Sequence, residues 1–327
     1  MKKKVKLNHD VVTFALVVLL YAVVAFLLYS GSLTRQIANM LIPISVYIVL
    51  AVSLNLVVGL LGELSLGHGG FLSVGLFSGC LVAIALSATS LPLFVRLPLS
   101  MIVGGLVAMV FGFIVGLPAL RLKGDYLAIV TLACGEIIKN IITNLDITGG
   151  ALGLNTGASY SNAKTLLPYA AVLVLLTVLV MMNLKHSKHG RAIMAIRDNP
   201  IAAQSVGLNL TKYKLMAFVT SAALAGAAGA LYGLNYSSLQ SVKFNFNTSI
   251  LVLVFVVLGG LGNIWGSLLS AAALTILPEA LRQFADYRML VYAIVLIFVM
   301  LATNNPRFKA FFAKLLPRRH SAEEKEV

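Results

Sequence analysis

Apolar runs of about 20 residues, each long enough to cross a bilayer, recur along nearly the whole sequence of 327 residues. Bounded by charges or by Gly and Pro, they span 11–30, 40–61, 70–91, 98–120, 125–145, 166–184, 214–236, 248–262, 266–284 and 288–304. A soluble core of this size could not hide so much apolar surface, so lipid must be the solvent for most of it. There every backbone N–H and C=O has to be satisfied internally, and runs of this length do so as helices. The expected fold is an all-α integral membrane protein of about ten transmembrane or re-entrant helices. The eighth run is short enough to be re-entrant. One polytopic domain, 11–304, lies between an N-terminal tail, 1–10, and a basic C-terminal tail, 305–327.

The formal charge of +14 raises nucleic-acid binding, which needs a basic face with stacking aromatics on a water-facing fold. The pattern here is different. Arg35, Arg96, Lys164, Lys243, Arg282 and Arg288 fall on one side of the alternating topology and Lys139 within a run; the other eighteen of the 25 Lys and Arg fall on the opposite side. By the positive-inside rule that richer side is the cytoplasm, with both termini in it. The basic loop 185–214 is then cytoplasmic, and the loop 146–165, rich in Gly, Ser, Thr and Asn, extracytoplasmic. A signal peptide is the other reading of the start, Met1 to Lys6 followed by 11–30. That run exceeds the usual apolar core of about 7 to 15 residues and lacks a small-residue cleavage site, so an uncleaved first helix is expected. Cys80 and Cys134 lie in apolar runs, without disulfide or metal spacing.

Two glycine-rich breaks interrupt the apolar pattern. The first carries Asn55, Gly59, Gly62, Glu63, Ser65, Gly67 and His68; the second, Gly259, Gly260, Gly262 and Asn263, echoes its spacing. Broken backbone at membrane depth is tolerated where it faces protein or a watery cavity, and paired breaks in two halves of a chain point to an inverted repeat with a site at the interface. These eleven residues are the candidates for a translocation path. The competing reading of the first break is a tight turn between ordinary helices. Ser65 and His68 could suggest a nucleophile and base, but no elbow surrounds the serine and no second group orients the imidazole. His68 is expected instead to hydrogen-bond at a helix end.

Charged groups within apolar runs are costly and default to functional candidates: Glu63, Asp125, Glu136, Lys139 and Glu279. Glu136 and Lys139, three apart, can pair on one helix face, and a structural pair is expected. Asp125 suits a helix start at the membrane interface. Proton-coupled carriage through Glu63 or Glu136 is a possible function, though the chain lacks an acidic relay.

The basic loop holds Arg197, Asp198, Asn199, Pro200, Ala202, Ala203 and Gly207. Asn199 is a good N-cap, Pro200 suits the first helical position and Gly207 the exit, so the spacing predicts a helix of about two turns. Short, small-faced and basic at its flanks, it suits docking into a groove of a cytoplasmic partner. The plainer reading is a solvated loop helix. Farther on, Ala222, Gly226, Gly229, Ala230 and Gly233 permit close helix packing.

In order along the chain, SLNLVVGLLGELSLGHGGF from Ser53, KGDYLAIVTLACGEIIKNIITN from Lys123, ITGGALGL from Ile147, GRAIMAIRDNPIAAQSVGLNLTKYKLMAFVTSAALAGAAGALYG from Gly190 and VLGGLGNIWGSLLSAAALTILPE from Val257 resemble the permeases of branched-chain amino-acid ABC importers of the LivM type. The resemblance implies an ATP-driven importer subunit paired with a second, LivH-type permease, two ABC ATPase subunits and an extracytoplasmic amino-acid-binding protein. It also implies that the loop helix is a degenerate EAA coupling motif. Ala202, Ala203 and Gly207 match that motif, whereas Ile201 stands where its glutamate would be, leaving Arg197 or Asp198 to replace any salt bridge. No Gly-Lys-Ser or Gly-Lys-Thr step occurs in the sequence, so ATP and Mg are expected on the partner ATPases and no cofactor on this chain. Related permeases extend the alternatives to urea, short amides and simple sugars.

Overall fold

The computed structural model describes residues 9–32, 34–89, 91–122, 124–157 and 160–281, with isolated helical positions at Leu290, Ala293, Ile294 and Ile297. The rest of the expected tenth run, 288–304, both tails beyond these limits and Lys123 lie outside the described residues. The chain divides into two compact units, Met1–Thr275 and Ile276–Val327. In the second, the described residues are the end of a helix and the isolated positions named above.

Nine of the expected runs coincide with helices: α1 His9–Tyr29, α2 Arg35–Asn55, α3 His68–Ser87, α4 Leu93–Ala119, α5 Asp125–Asn144, α6 Ala163–His186, α9 Leu210–Leu234, α10 Phe246–Gly259 and α11 Ile264–Ala280. Between α6 and α9 the basic loop folds into α7 Lys188–Asp198 and α8 Pro200–Ser205. Seven segments among the described residues are long and apolar enough to span a membrane, and the protein is an all-α integral membrane protein.

The centre is α9, which packs against α3, α4 and α2, while α2 also meets α6 and α10. Its small residues make this possible. A Cβ added at Gly226 would run into the Cβ of Ala108 and the carbonyl of Gly104, and one added at Gly75 into the backbone of Gly226. Backbones so close gain packing contacts that lipid, itself apolar, cannot replace. Phe71 on α3 and Phe218 on α9 fill the adjoining core, ring edge to face at 5.5 Å.

At one end of α6 and α9 the loops are tied by a two-residue antiparallel ribbon, β1 Leu154–Asn155 against β2 Ser238–Leu239. It is extended by Thr156 N–H to the Ser237 carbonyl at 2.9 Å and Ser161 N–H to the Leu234 carbonyl at 3.0 Å. Helices α7 and α8 lie at the opposite ends of α6 and α9. The two long polar loops of the sequence thus sit on opposite sides of the bundle.

Candidate functional site: two broken helices joined through Asn55

Helix α2 does not stop at Asn55 but widens into a π-helical stretch, Leu56–Leu61, with all six residues buried. A wide turn accommodates one residue more than the α ladder does and is frequent at functional sites. It ends at Gly62, whose φ of +77° suits a residue without Cβ, and Glu63 N–H bonds back to the Val57 carbonyl at 3.1 Å. The second break, between α10 and α11, turns through Gly260 at φ +90° and Gly262 at φ +77°.

The two breaks meet. Asn55, fully buried, donates through Nδ2 to the Asn263 carbonyl at 3.1 Å and to Ser267 Oγ at 2.9 Å. Its Oδ1 accepts from Gly262 N–H at 2.8 Å. Gly59 makes this geometry possible, because a Cβ there would lie 2.9 Å from Gly262 Cα and collide with the Asn55 amide itself. Gly259 plays the same part on the other side, where a Cβ would strike the backbone of Gly266 and Ser267. One side chain therefore satisfies polar backbone released by the break more than 200 residues away.

The second half of the first break threads into a notch between α5 and α10. Leu66 N–H bonds Thr131 Oγ1 at 3.0 Å and Gly69 N–H bonds Ser249 Oγ at 2.9 Å. A Cβ on Gly67 would stand 3.0 Å from the Thr131 carbonyl, and one on Gly70 2.8 Å from Gly135 Cα. His68, the first residue of α3 and buried, sits with Nε2 3.0 Å from Ser221 Oγ. The Ser221 hydroxyl is already donated to the Ser53 carbonyl, so Nε2 carries the hydrogen and Nδ1 is the acceptor. Neither His68 Nδ1 nor the Oγ of buried Ser65 has a hydrogen-bond partner among the described residues. The two are thus not bonded to each other, as a nucleophile and its base would be.

The polar loop is fastened to the same place. Ser187 caps α7 by accepting from Gly190 N–H at 3.0 Å, and Ala192, Ile193 and Ile196 bury its inner face. At its end Arg197 sends Nη1 to the Gly59 carbonyl at 3.1 Å and holds Asp198 Oδ1 with Nε and Nη2, at 3.0 and 2.9 Å. Its stem lies across Gly62, where a Cβ would come within 2.5 Å of Arg197 Cγ. One turn into α9, Lys214 pairs with Glu63, both side chains less than 15% exposed. Arg197 and Lys214 thus clasp the two ends of the glycine-rich turn.

Helix α8 has the expected punctuation: Asn199 Oδ1 accepts from the N–H groups of Ile201 and Ala202 at 3.1 and 3.0 Å, Pro200 opens it, and Gly207 follows it at φ +86°. Its two alanines do not form one outward face. Ala203 is buried within the chain, Ala202 is exposed, and the most exposed large side chains are Ile201 and Val206, each at 78%. A six-residue helix turns only a little over once and a half, so neighbouring positions face different ways.

On α5, Glu136 and Lys139 form the expected ion pair, and Glu136 Oε1 also accepts from Phe246 N–H, at the start of α10, at 2.8 Å. Sequence reasoning missed Thr131, Ser221, Ser249 and Ser267, which bind the broken backbone. The signal for them was present: single hydroxyl residues inside apolar runs, where a hydroxyl needs a partner.

A family model described as branched-chain amino acid transport system / permease component matches residues 36–300. The chain is 36% identical over 287 residues to the high-affinity branched-chain amino acid transport system permease protein LivM of Salmonella typhimurium, covering 78% of this chain and 66% of that protein's length. It is 26% identical over 303 residues to the ribose import permease protein RbsC of Haemophilus influenzae, 89% of this chain and 92% of the relative. Against the permease protein LivH of Salmonella typhimurium it is 24% identical over 276 residues, 79% of this chain and 89% of the relative. No solved structure matches the chain.

Proposed function

We propose, from the premise that the chain belongs to the branched-chain amino acid transport system permease component family, that it is one membrane subunit of an ATP-driven importer of branched-chain, hydrophobic amino acids. A second related permease completes the path, two ABC ATPase subunits bind ATP and Mg, and an extracytoplasmic binding protein delivers the solute. The observation that carries this reading is the attachment of the α7–α8 loop to the break. An ATPase docked on Ile201, Val206 and the exposed side of α8 would press on α7, and α7 ends in Arg197, bonded to the Gly59 carbonyl. Force on the loop thus has a direct route to the contact of the two breaks through the Arg197 side chain. Glu63 and Glu136, the acids a proton-coupled carrier would use, are both held in ion pairs. The similarity to a ribose permease favours simple sugars as the second reading.

Reconstituted with those partners in proteoliposomes, the complex is expected to accumulate labelled leucine when ATP is supplied and not without it. Accumulation of labelled ribose instead would select the second reading, and leucine uptake driven by a proton gradient without ATP would overturn both.

The proposed orientation places both termini and 185–214 in the cytoplasm and 146–165 outside. Single cysteines replacing Gln204 and Ser238, both exposed and at opposite ends of the bundle, are expected to react with an impermeant maleimide from inside and outside respectively. The reverse pattern in intact cells and inverted vesicles would turn the topology over.

A further inference from the structure

The α5 ion pair lies where lipid is an unsuitable neighbour. Of the α5 window long enough to span the membrane, 28% is buried within the chain, against 83% for the α2 window, and the window that includes α10 is also 28% buried. Glu136 and Lys139 lie about 12 Å and 8 Å from the end of α5 at Asn144, by the rise of an α-helix, well inside the helix. Both side chains keep partial exposure, 27% for Glu136 and 18% for Lys139. Asn140 and Asn144, at four-residue steps from Glu136, are exposed along the same stripe. A charged, partly uncovered stripe at such depth belongs against protein or a water-filled path rather than lipid. It also adjoins the break: Gly135 touches Gly70, and Glu136 bridges to the first turn of α10, whose Ser249 holds Gly69.

We propose that Glu136 and Lys139 form a station for an α-amino-acid zwitterion in the translocation path, the ammonium of Lys139 taking the solute's carboxylate and the carboxylate of Glu136 its ammonium. In the unloaded state the two satisfy each other, so neither is left as a bare charge at depth. A zwitterion offers both partners at once, separated by a single carbon, and each residue exchanges one ion pair for another. A neutral sugar offers neither. Exposed Ile137 beside the pair, with Phe246 and Ile250 one turn apart on α10, supplies apolar surface for an aliphatic side chain. The sequence pattern alone favours a structural pair, and the uncovered face distinguishes the two roles.

This inference rests on the importer reading, and the test separates them. The double variant E136Q/K139Q removes both charges while the amide oxygen introduced on α5 can still accept from Phe246 N–H, and K139R keeps the cation. In the reconstituted complex, [14C]leucine uptake by E136Q/K139Q is expected to fall at least tenfold, with membrane insertion and ATPase activity stimulated by the binding protein both within twofold of wild type. K139R is expected to stay within about threefold for uptake. Uptake by E136Q/K139Q within twofold of wild type overturns the station, and so does a parallel loss of insertion and uptake, which marks the pair as structural. Absence of ATP-driven leucine uptake in the wild type overturns the importer reading and the station with it.

Discussion

Replacing Asn55 by leucine is expected to lower solute uptake by tenfold or more while leaving insertion into the membrane intact. Leucine is close to asparagine in length but makes none of its three hydrogen bonds. Ser267 still reaches the Asn263 carbonyl, at 3.1 Å, so the group left without a partner is Gly262 N–H. An unpaired buried donor costs about 1–3 kcal/mol, and at membrane depth no bulk water replaces the lost bond. The cost falls on the contact between the breaks, since α2 and α11 keep their own ladders. Uptake and thermal unfolding in detergent, measured on the same preparation, check this. Wild-type uptake in Asn55→Leu would remove the junction from the transport path.

A different failure is expected of Arg197→Met. Methionine keeps an unbranched apolar stem to lie across Gly62 but cannot donate to the Gly59 carbonyl. A hydrogen bond from a charged donor contributes about 1.5–3 kcal/mol, and the partial exposure of Arg197, at 40%, places it at the lower end, near a tenfold weakening of the clasp. The ATPase should still bind, since α8 keeps its cap and its exposed face. ATP hydrolysis is therefore expected to continue with uptake reduced about tenfold, an uncoupled phenotype read as the ratio of solute moved to phosphate released. Loss of ATPase binding by pull-down would show instead that Arg197 holds the docking surface in shape, and an unchanged ratio would remove it from the coupling route.

The spans were legible because a length of about 20 apolar residues is itself the physical requirement for crossing lipid, and α8 because Asn199, Pro200 and Gly207 act through their own backbone. The Glu136 to Lys139 pair was legible for the same local reason. What could not be read was anything requiring a partner far along the chain. Asn55 is an ordinary polar residue in an apolar run until Gly262 stands beside it, and Lys214, counted among the charges of the basic loop, turns into the bundle to meet Glu63. Helix α7 was hidden in a segment read as charged loop, although Ala192, Ile193 and Ile196 give it an apolar side. The two-residue ribbon of β1 and β2 is too short to show any alternation. Ala202 and Ala203 read as one narrow face because adjacency in sequence was taken for adjacency in space, whereas a helix turns 100° between them.

The wide turn at Leu56–Leu61 has a meaning as an insertion. The stretch absorbs one surplus residue, so relative to an unbroken α-helix of the same residues everything after it is turned back by about 100° and held about 1.5 Å nearer along the axis. Deleting any single residue from 56 to 61 would restore a regular ladder and leave the apolar run long enough to cross the membrane. The same deletion would leave Asn55 and Gly62 close to their present phase, whereas winding the full-length stretch as a regular α-helix would turn Gly62 by about 100°, so that when Asn55 faced Gly262 the glycine would face away from Arg197. The winding of this segment, rather than its apolar length, thus sets the phase of the two contacts, and a relative one residue shorter would keep that phase by winding the segment as plain α-helix.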